Sequence, residues 1–297
     1  MDEQAAILSA VAAYPADDTP RLAYADWLDD HADDLPDPAA ARTRAEFVRV
    51  QCEVKRLEDD HTSTQLQGYA DLYRRQDDLL TRHRRDLLGP LGDDLTEHDV
   101  VFDRGFPAKL TLDIRRFYKH AAAIAALTPR PDVCVTGAGA APSDWRIRQD
   151  APPLITELVM HQPGRAGSGR VSLRYVFDLG YASYPRLRDL SLEGCDMGDE
   201  GLRWLADVGG AFPALTRLDL SGNEISDTGV LSLVNSPLWP RLTYLVLGAN
   251  PISDEGARTL ADAPPTALAN LNVRFTGIGP AGQHLLLRRK GWKVDLF

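Results

Sequence analysis

Apolar and polar positions in the C-terminal third of the chain follow one pattern, LxxLxLxx(N/C), that returns three times. The copies are Leu187-Arg-Asp-Leu190-Ser-Leu192-Glu-Gly-Cys195, Leu215-Thr-Arg-Leu218-Asp-Leu220-Ser-Gly-Asn223 and Leu242-Thr-Tyr-Leu245-Val-Leu247-Gly-Ala-Asn250. They are spaced by 28 and then 27 residues, and a fixed period of this size is the mark of a solenoid. In each copy Leu-x-Leu sets two inward side chains around one outward one, the alternation of a strand. The Asn or Cys that follows is placed to satisfy turn backbone groups from inside. A helix should then begin near Ser226-Asp-Thr-Gly229 or Ser253-Asp-Glu-Gly256.

Using the two strand leucines as a ruler extends the series to Leu110/Leu112, Val133/Val135, Leu158/Met160, Leu190/Leu192, Leu218/Leu220, Leu245/Leu247, Leu271/Val273 and Val294/Leu296. First members are separated by 23, 25, 32, 28, 27, 26 and 23 residues. The long step holds Gln162-Pro-Gly-Arg-Ala-Gly-Ser-Gly-Arg170, whose glycines and proline predict a loop. No unit can bury its apolar edge alone, so stacking must create one continuous core. The expected class is therefore α/β, a solenoid over 99–297 with a parallel sheet on its concave face and helices on its convex face, closed by bulky residues such as Trp292 and Phe297.

A segment of different character precedes it. Residues 1–60 hold 15 Asp and Glu against 6 Lys and Arg, nearly the whole chain's net charge of −10. Four helices are expected over 1–98: an alanine-rich run from Ala5 to Tyr14, one capped at Thr19-Pro20, a long one from Asp37-Pro38 to Leu57, and an amphipathic run from Gln65 to Leu88. Trp27, with Leu22 and Leu28, is assigned to the core of this small all-α module.

The three strong copies resemble leucine-rich repeats of the long, ribonuclease-inhibitor-like type. Pro20-Arg-Leu-Ala-Tyr-Ala-Asp-Trp-Leu28 and Arg44-Ala-Glu-Phe-Val-Arg-Val-Gln51, followed by Leu87-Leu-Gly-Pro-Leu91, Arg104-Gly-Phe106 and Ala125-Ala-Leu-Thr-Pro129, resemble the repeat-companion domain of planctomycete-type bacteria. That resemblance implies an architecture, a short helical module fused to repeats, and no activity. This chain departs from the shorter family pattern by inserting residues 32–42 between the Trp and Arg-Ala-Glu-Phe blocks.

What the solenoid offers chemically is an ordered display on the concave side. The exposed triplets are Lys109, Thr111, Asp113; Asp132, Cys134, Thr136; Glu157, Val159, His161; Asp189, Ser191, Glu193; Arg217, Asp219, Ser221; Tyr244, Val246, Gly248; Asn270, Asn272, Arg274; and Lys293, Asp295, Phe297. The middle rungs are acidic, and the later ones carry an aromatic, an aliphatic residue and amides, the mixture found at binding hot spots. Glu157, His161, Asp189, Ser191, Glu193, Arg217, Asp219, Tyr244, Val246, Asn270, Asn272 and Arg274 are therefore the candidate partner-binding residues, for a protein or peptide with a basic surface.

Other chemistry finds little support. Cys52, Cys134 and Cys195 are too scattered for a zinc site and odd in number, which suggests a reducing compartment. The acidic run Asp29 to Asp37 lacks the glycine and terminal glutamate of a calcium loop. No GxSxG, P-loop or HExxH motif occurs, and Pro142 spoils the glycine pattern begun at Gly137-Ala-Gly139. His161 and Glu193 form a weak acid–base pair at best. With pI about 5.2 and no basic stripe, nucleic acid is not an expected partner. Met1-Asp-Glu3 and the lack of a long apolar span predict a cytoplasmic location without membrane contact. The expected function is a non-enzymatic interaction module or adaptor without metal or cofactor. The alternative is an enzyme regulator such as a GTPase activator, with Arg217 or Arg274 as its arginine finger.

Overall fold

The computed structural model describes residues 3–59, 67–136, 152–160, 183–264 and 266–296. The expectations for Gly137-Ala-Gly139, His161, the loop at 162–170 and Phe297 lie outside the described residues. Two compact units divide the chain, Met1–Thr111 with His120–Asp132, and Leu112–Lys119 with Val133–Phe297.

In the first unit, α1 (Glu3–Ala13), α2 (Thr19–Asp30), α3 (Pro38–Asp59), α4 (Gln67–Arg82) and α5 (Arg84–Leu88) precede a β-hairpin. Pro20 stands in the first turn of α2, after Asp18 rather than Thr19 as the cap. The Asp37 carboxylate accepts the Ala40 N–H at 3.0 Å and starts α3 as the Asp-Pro signature requires. Ala41, Ala45, Val48 and Cys52 recur at helical spacing on α3 and pack against Val11, Tyr24, Ala25 and Leu28. Phe47, on another face, packs with Leu79 and Leu87. Within the amphipathic run expected from Gln65 to Leu88, the described residues form two α-helices broken at His83, so the described part of 1–98 holds five α-helices where about four helices were expected. Leu22 is exposed while Trp27 packs against the core cluster. Five residues separate them, about 140° around a helix, so they never shared a face.

The hairpin joins β1 (Val100–Asp103) antiparallel to β2 (Phe106–Asp113), with Val100 opposite Leu110. Sequence reading found the second strand and missed its partner. Their connection places Arg104 at φ +48° and Gly105 at φ +86°. Gly105 has no substitute there, because a Cβ would lie 2.5 Å from a Val48 methyl. Its N–H donates to the Gln51 side chain at 2.6 Å. The Arg104 guanidinium meets Asp18 at 2.6 Å and Asp103 at 3.2 Å. Phe106 lies under the guanidinium groups of Arg21 and Arg44, at 5.9 and 5.7 Å. The sequence blocks around Tyr24, Arg44 and Arg104 thus converge on one turn.

In the second unit, strands β3 (Asp132–Thr136), β4 (Glu157–Val159), β5 (Asp189–Ser191), β6 (Arg217–Asp219), β7 (Tyr244–Val246), β8 (Asn270–Asn272) and β9 (Lys293–Asp295) pair in parallel, each with the next in sequence. Helices α7 (Gly198–Asp207), α8 (Asp227–Val234), α9 (Asp254–Asp262) and α10 (Pro280–Leu287) follow β5 to β8. They are numbered after α6 (Ile114–Ala126), the helix between β2 and β3. The register is unbroken: Leu158, Leu190, Leu218, Leu245 and Leu271 stand side by side, all buried.

Two ladders of polar side chains lock these rungs. The Asn223 side chain accepts from the N–H groups of Cys195 (2.8 Å) and Met197 (3.3 Å) and donates to the carbonyls of Leu192 (2.7 Å) and Ser221 (3.1 Å). Asn250 repeats this one rung on, accepting from Asn223 and Ile225 and donating to Leu220 and Leu247. Amide side chains suit this work, since each offers two donors and an acceptor to a buried turn. In the second ladder, the Asp199 carboxylate accepts the N–H groups of Ser226 (2.8 Å) and Gly229 (3.0 Å) and the Ser226 hydroxyl (2.5 Å). Asp227 does the same for Ser253, and Asp254 for Gly279 and Gly282. The starts of α8 and α9 are therefore capped by the preceding repeat as well as by their own Ser226 and Ser253, and the start of α10, at Gly279, by the preceding repeat alone.

Candidate binding face

Parallel pairing turns the outward residues into columns. Glu157, Asp189, Arg217, Tyr244, Asn270 and Lys293 form the first, and Val159, Ser191, Asp219, Val246, Asn272 and Asp295 the second. A recess of about 260 Å³ opens on this face, lined by Glu157, Val159, Asp189, Ser191, Arg217, Asp219, Tyr244 and Val246 over the flanks of Leu190 and Leu218. Seven of the twelve candidate residues meet there.

Arg217 is its central cation. Its Nε lies 2.5 Å from Asp189, and its guanidinium sits 4.5 Å from the Tyr244 ring centroid. An exposed stack of this kind contributes roughly 0.5–1 kcal/mol, and a solvent-screened ion pair about 0–1 kcal/mol. Arg217 is therefore directed without being fixed.

Asp219 is held by its own turn. Its Oδ1 accepts the Ser221 N–H at 2.9 Å and the Ser221 hydroxyl at 2.6 Å. Asn272 closes the equivalent turn two rungs on by accepting the Arg274 N–H at 3.0 Å. Both residues carry a structural duty that the display reading overlooked, and its signal was available in their position two residues before the turn amide.

Outside the recess, Glu193 is exposed after β5, and Asn270 and Asn272 continue the two columns. Arg274 lies 3.7 Å from Asp295 and stacks 5.5 Å from the exposed ring of Phe275. Two members of the wider display are corrected. Cys134 is only 4 % exposed although it alternates with Val133 and Val135, so both faces of that rung are covered, as a small apolar thiol permits. Gly248 is buried because its backbone abuts the Arg274 carbonyl of the next rung.

Reactive groups are scarce. Burial pushes the thiols of Cys52 and Cys195 up to about 12, which leaves neither as a nucleophile near neutral pH. Among the described residues, no group of three or more His, Cys, Asp or Glu side chains is placed to hold a metal ion. No helix among them is long and apolar enough to cross a membrane.

A repeated strand, turn and helix joined by asparagine ladders defines a leucine-rich-repeat region. The family described as Leucine Rich repeat matches residues 186–206, 213–234 and 241–261, the three copies of the pattern. A search of curated proteins finds no match. Among solved structures, a Bacteroides fragilis protein is similar at 20% identity and a TM-score of 0.42, over 62% of this chain and 50% of that one, so this chain spans half its length. Actin-binding site 2 of leiomodin-1 is similar at 20% identity and a TM-score of 0.34, over 50% of this chain and 91% of that one.

Proposed function

We propose that the chain is a non-enzymatic interaction module whose repeat sheet binds a protein or peptide on its concave, outward face. The carrying observation is the recess between β4 and β7, where a tyrosine ring, two valines and charged groups of both signs line one continuous surface. Solenoids present their sheets this way, with side chains fixed by the repeat register rather than by a loop. Leucine-rich repeats themselves point to an interaction scaffold. The acidic segment at 1–60 supplies a second surface, and charge of this sign favours a basic partner.

The test compares capture of native-lysate proteins by the parent chain, by Asp219→Lys with Tyr244→Ala, and by Asp33→Lys with Asp34→Lys on the acidic segment, with folding checked by circular dichroism. A partner lost only with the first variant supports the sheet face. A folded sheet variant that retains every partner overturns it.

A further inference from the structure

We propose that the recess on the sheet face seats a cationic side chain, a guanidinium or ammonium, of a partner segment, and that Arg217 is the resident competitor for that seat. This rests on the sheet face being the binding surface.

Among the described residues the lining carries three carboxylates, Glu157, Asp189 and Asp219, and one cation, Arg217, a negative balance. The chain itself demonstrates what the seat accepts. A guanidinium already lies over the Tyr244 ring at 4.5 Å with a carboxylate at 2.5 Å, the aromatic-plus-anion arrangement that recognises cations. Arg217 reaches this position from the rung between Asp189 and Tyr244, which are its direct register partners. Its side chain remains 55 % exposed, so it covers the ring without sealing it. Asp219 stands in the neighbouring column with its carboxylate pinned by Ser221, and it offers a second anion whose position costs the partner no ordering. An incoming cation that displaces Arg217 gains the ring and the Asp189 carboxylate, while Arg217 swings to solvent with little loss, because its own contacts are exposed and screened.

The distinguishing consequence is that removing a positive charge from the site should strengthen binding beyond what the change in net charge explains. Fluorescein-labelled oligoarginine and oligoglutamate peptides of equal length serve as probes, read by anisotropy with the full chain. Arg217→Gln should bind oligoarginine roughly fivefold more tightly than the parent. Arg258→Gln, which removes the same charge from an exposed helix position paired with Glu255, is the control and should produce a much smaller change. Adding Tyr244→Leu or Asp219→Asn to Arg217→Gln should erase the gain. The latter keeps the turn-closing oxygen that Asn272 already supplies in the same role, so folding is preserved.

The proposal is overturned if Arg217→Gln equals Arg258→Gln or weakens oligoarginine binding, or if oligoglutamate binds and Arg217→Gln abolishes it. Failure of the face itself looks different: the folded variant with Asp219→Lys and Tyr244→Ala then keeps every captured partner. A captured partner lost with Asp219→Lys and Tyr244→Ala but also lost with Arg217→Gln leaves the face intact and refutes only the cationic seat.

Discussion

In the repeats, Asn223 and Asn250 each sit in a strand-to-helix turn and satisfy backbone groups of two successive rungs. In the helical unit, the comparable task at the Arg104-Gly105 turn falls to Gln51, 54 residues away in sequence, with Asp18 holding the adjacent guanidinium. One region reuses a single side chain at one spacing, and the other relies on contacts that occur once. Redundancy of position makes the repeats readable and extendable, whereas the helical unit depends on a few irreplaceable residues.

The sharpest way to break this contrast is Asn223→Ala. It strands the N–H groups of Cys195 and Met197 and the carbonyl of Leu192 in a buried turn, while the Ser221 carbonyl keeps the Gly194 N–H. With about 1–3 kcal/mol for each buried group left unpaired and partial relaxation among them, the expected loss is about 4 kcal/mol. Urea unfolding measures it, and a loss below about 1 kcal/mol would mean the ladder is decoration.

Gly105→Ala probes the other region. The new methyl would meet Val48 at 2.5 Å, and the backbone sits at φ +86°. Strain and overpacking together should cost about 3 kcal/mol. The buried thiols report where that loss falls, since Cys52 belongs to the helical core and Cys195 to the ladder. In sub-denaturing urea, iodoacetamide should alkylate Cys52 faster in the variant while Cys195 stays at the parent rate, as peptide mapping would show. Equal acceleration of both would mean that the two regions open as one, with no energetic difference between them.

The same contrast explains what could be read from sequence. The strands at Leu190, Leu218, Leu245 and Leu271 and the turn role of the Asn residues follow from period and alternation alone. The outward columns follow as well, because alternation in a strand leaves no other side for Arg217 or Tyr244. Cys134 failed because alternation names a face and says nothing of what covers that face. The link from Asp199 to Ser226 and Gly229 was hidden for a different reason: each Ser-Asp-x-Gly stretch reads as a self-contained helix start, and only the stacking brings one repeat's Asp against the next repeat's amides. Strand β1 and the Gln51–Gly105 bond left no periodic trace at all.

Asp227→Ala sharpens the comparison inside the repeats, since it removes the bonds to the Ser253 N–H and hydroxyl while Ser253 still caps Glu255. With one cap of two remaining, the expected loss is about 1.5 kcal/mol, well short of Asn223→Ala. Hydrogen exchange should quicken at the first turn of α9 before it does in β7. Unchanged exchange there would remove the second ladder from the account.

The smallest effect has the opposite sign. Phe275 occupies the left-handed turn position, φ +57°, that Gly194, Gly222 and Ala249 fill in earlier repeats, and it is 80 % exposed. A phenylalanine gains nothing from that conformation and leaves most of its ring in solvent, so a small residue, glycine above all, suits the position as in the earlier repeats. Relief of the backbone strain is worth roughly 1 kcal/mol, against which the exposed stack with Arg274 contributes about 0.5 kcal/mol. Phe275→Gly should therefore raise stability by about 0.5 kcal/mol in urea unfolding. If it instead lowers stability, the ring is part of the fold. If stability rises as expected, stability does not explain the aromatic at this position, and its place one residue beyond Arg274 makes the end of the sheet face the next surface to test for contact with the partner.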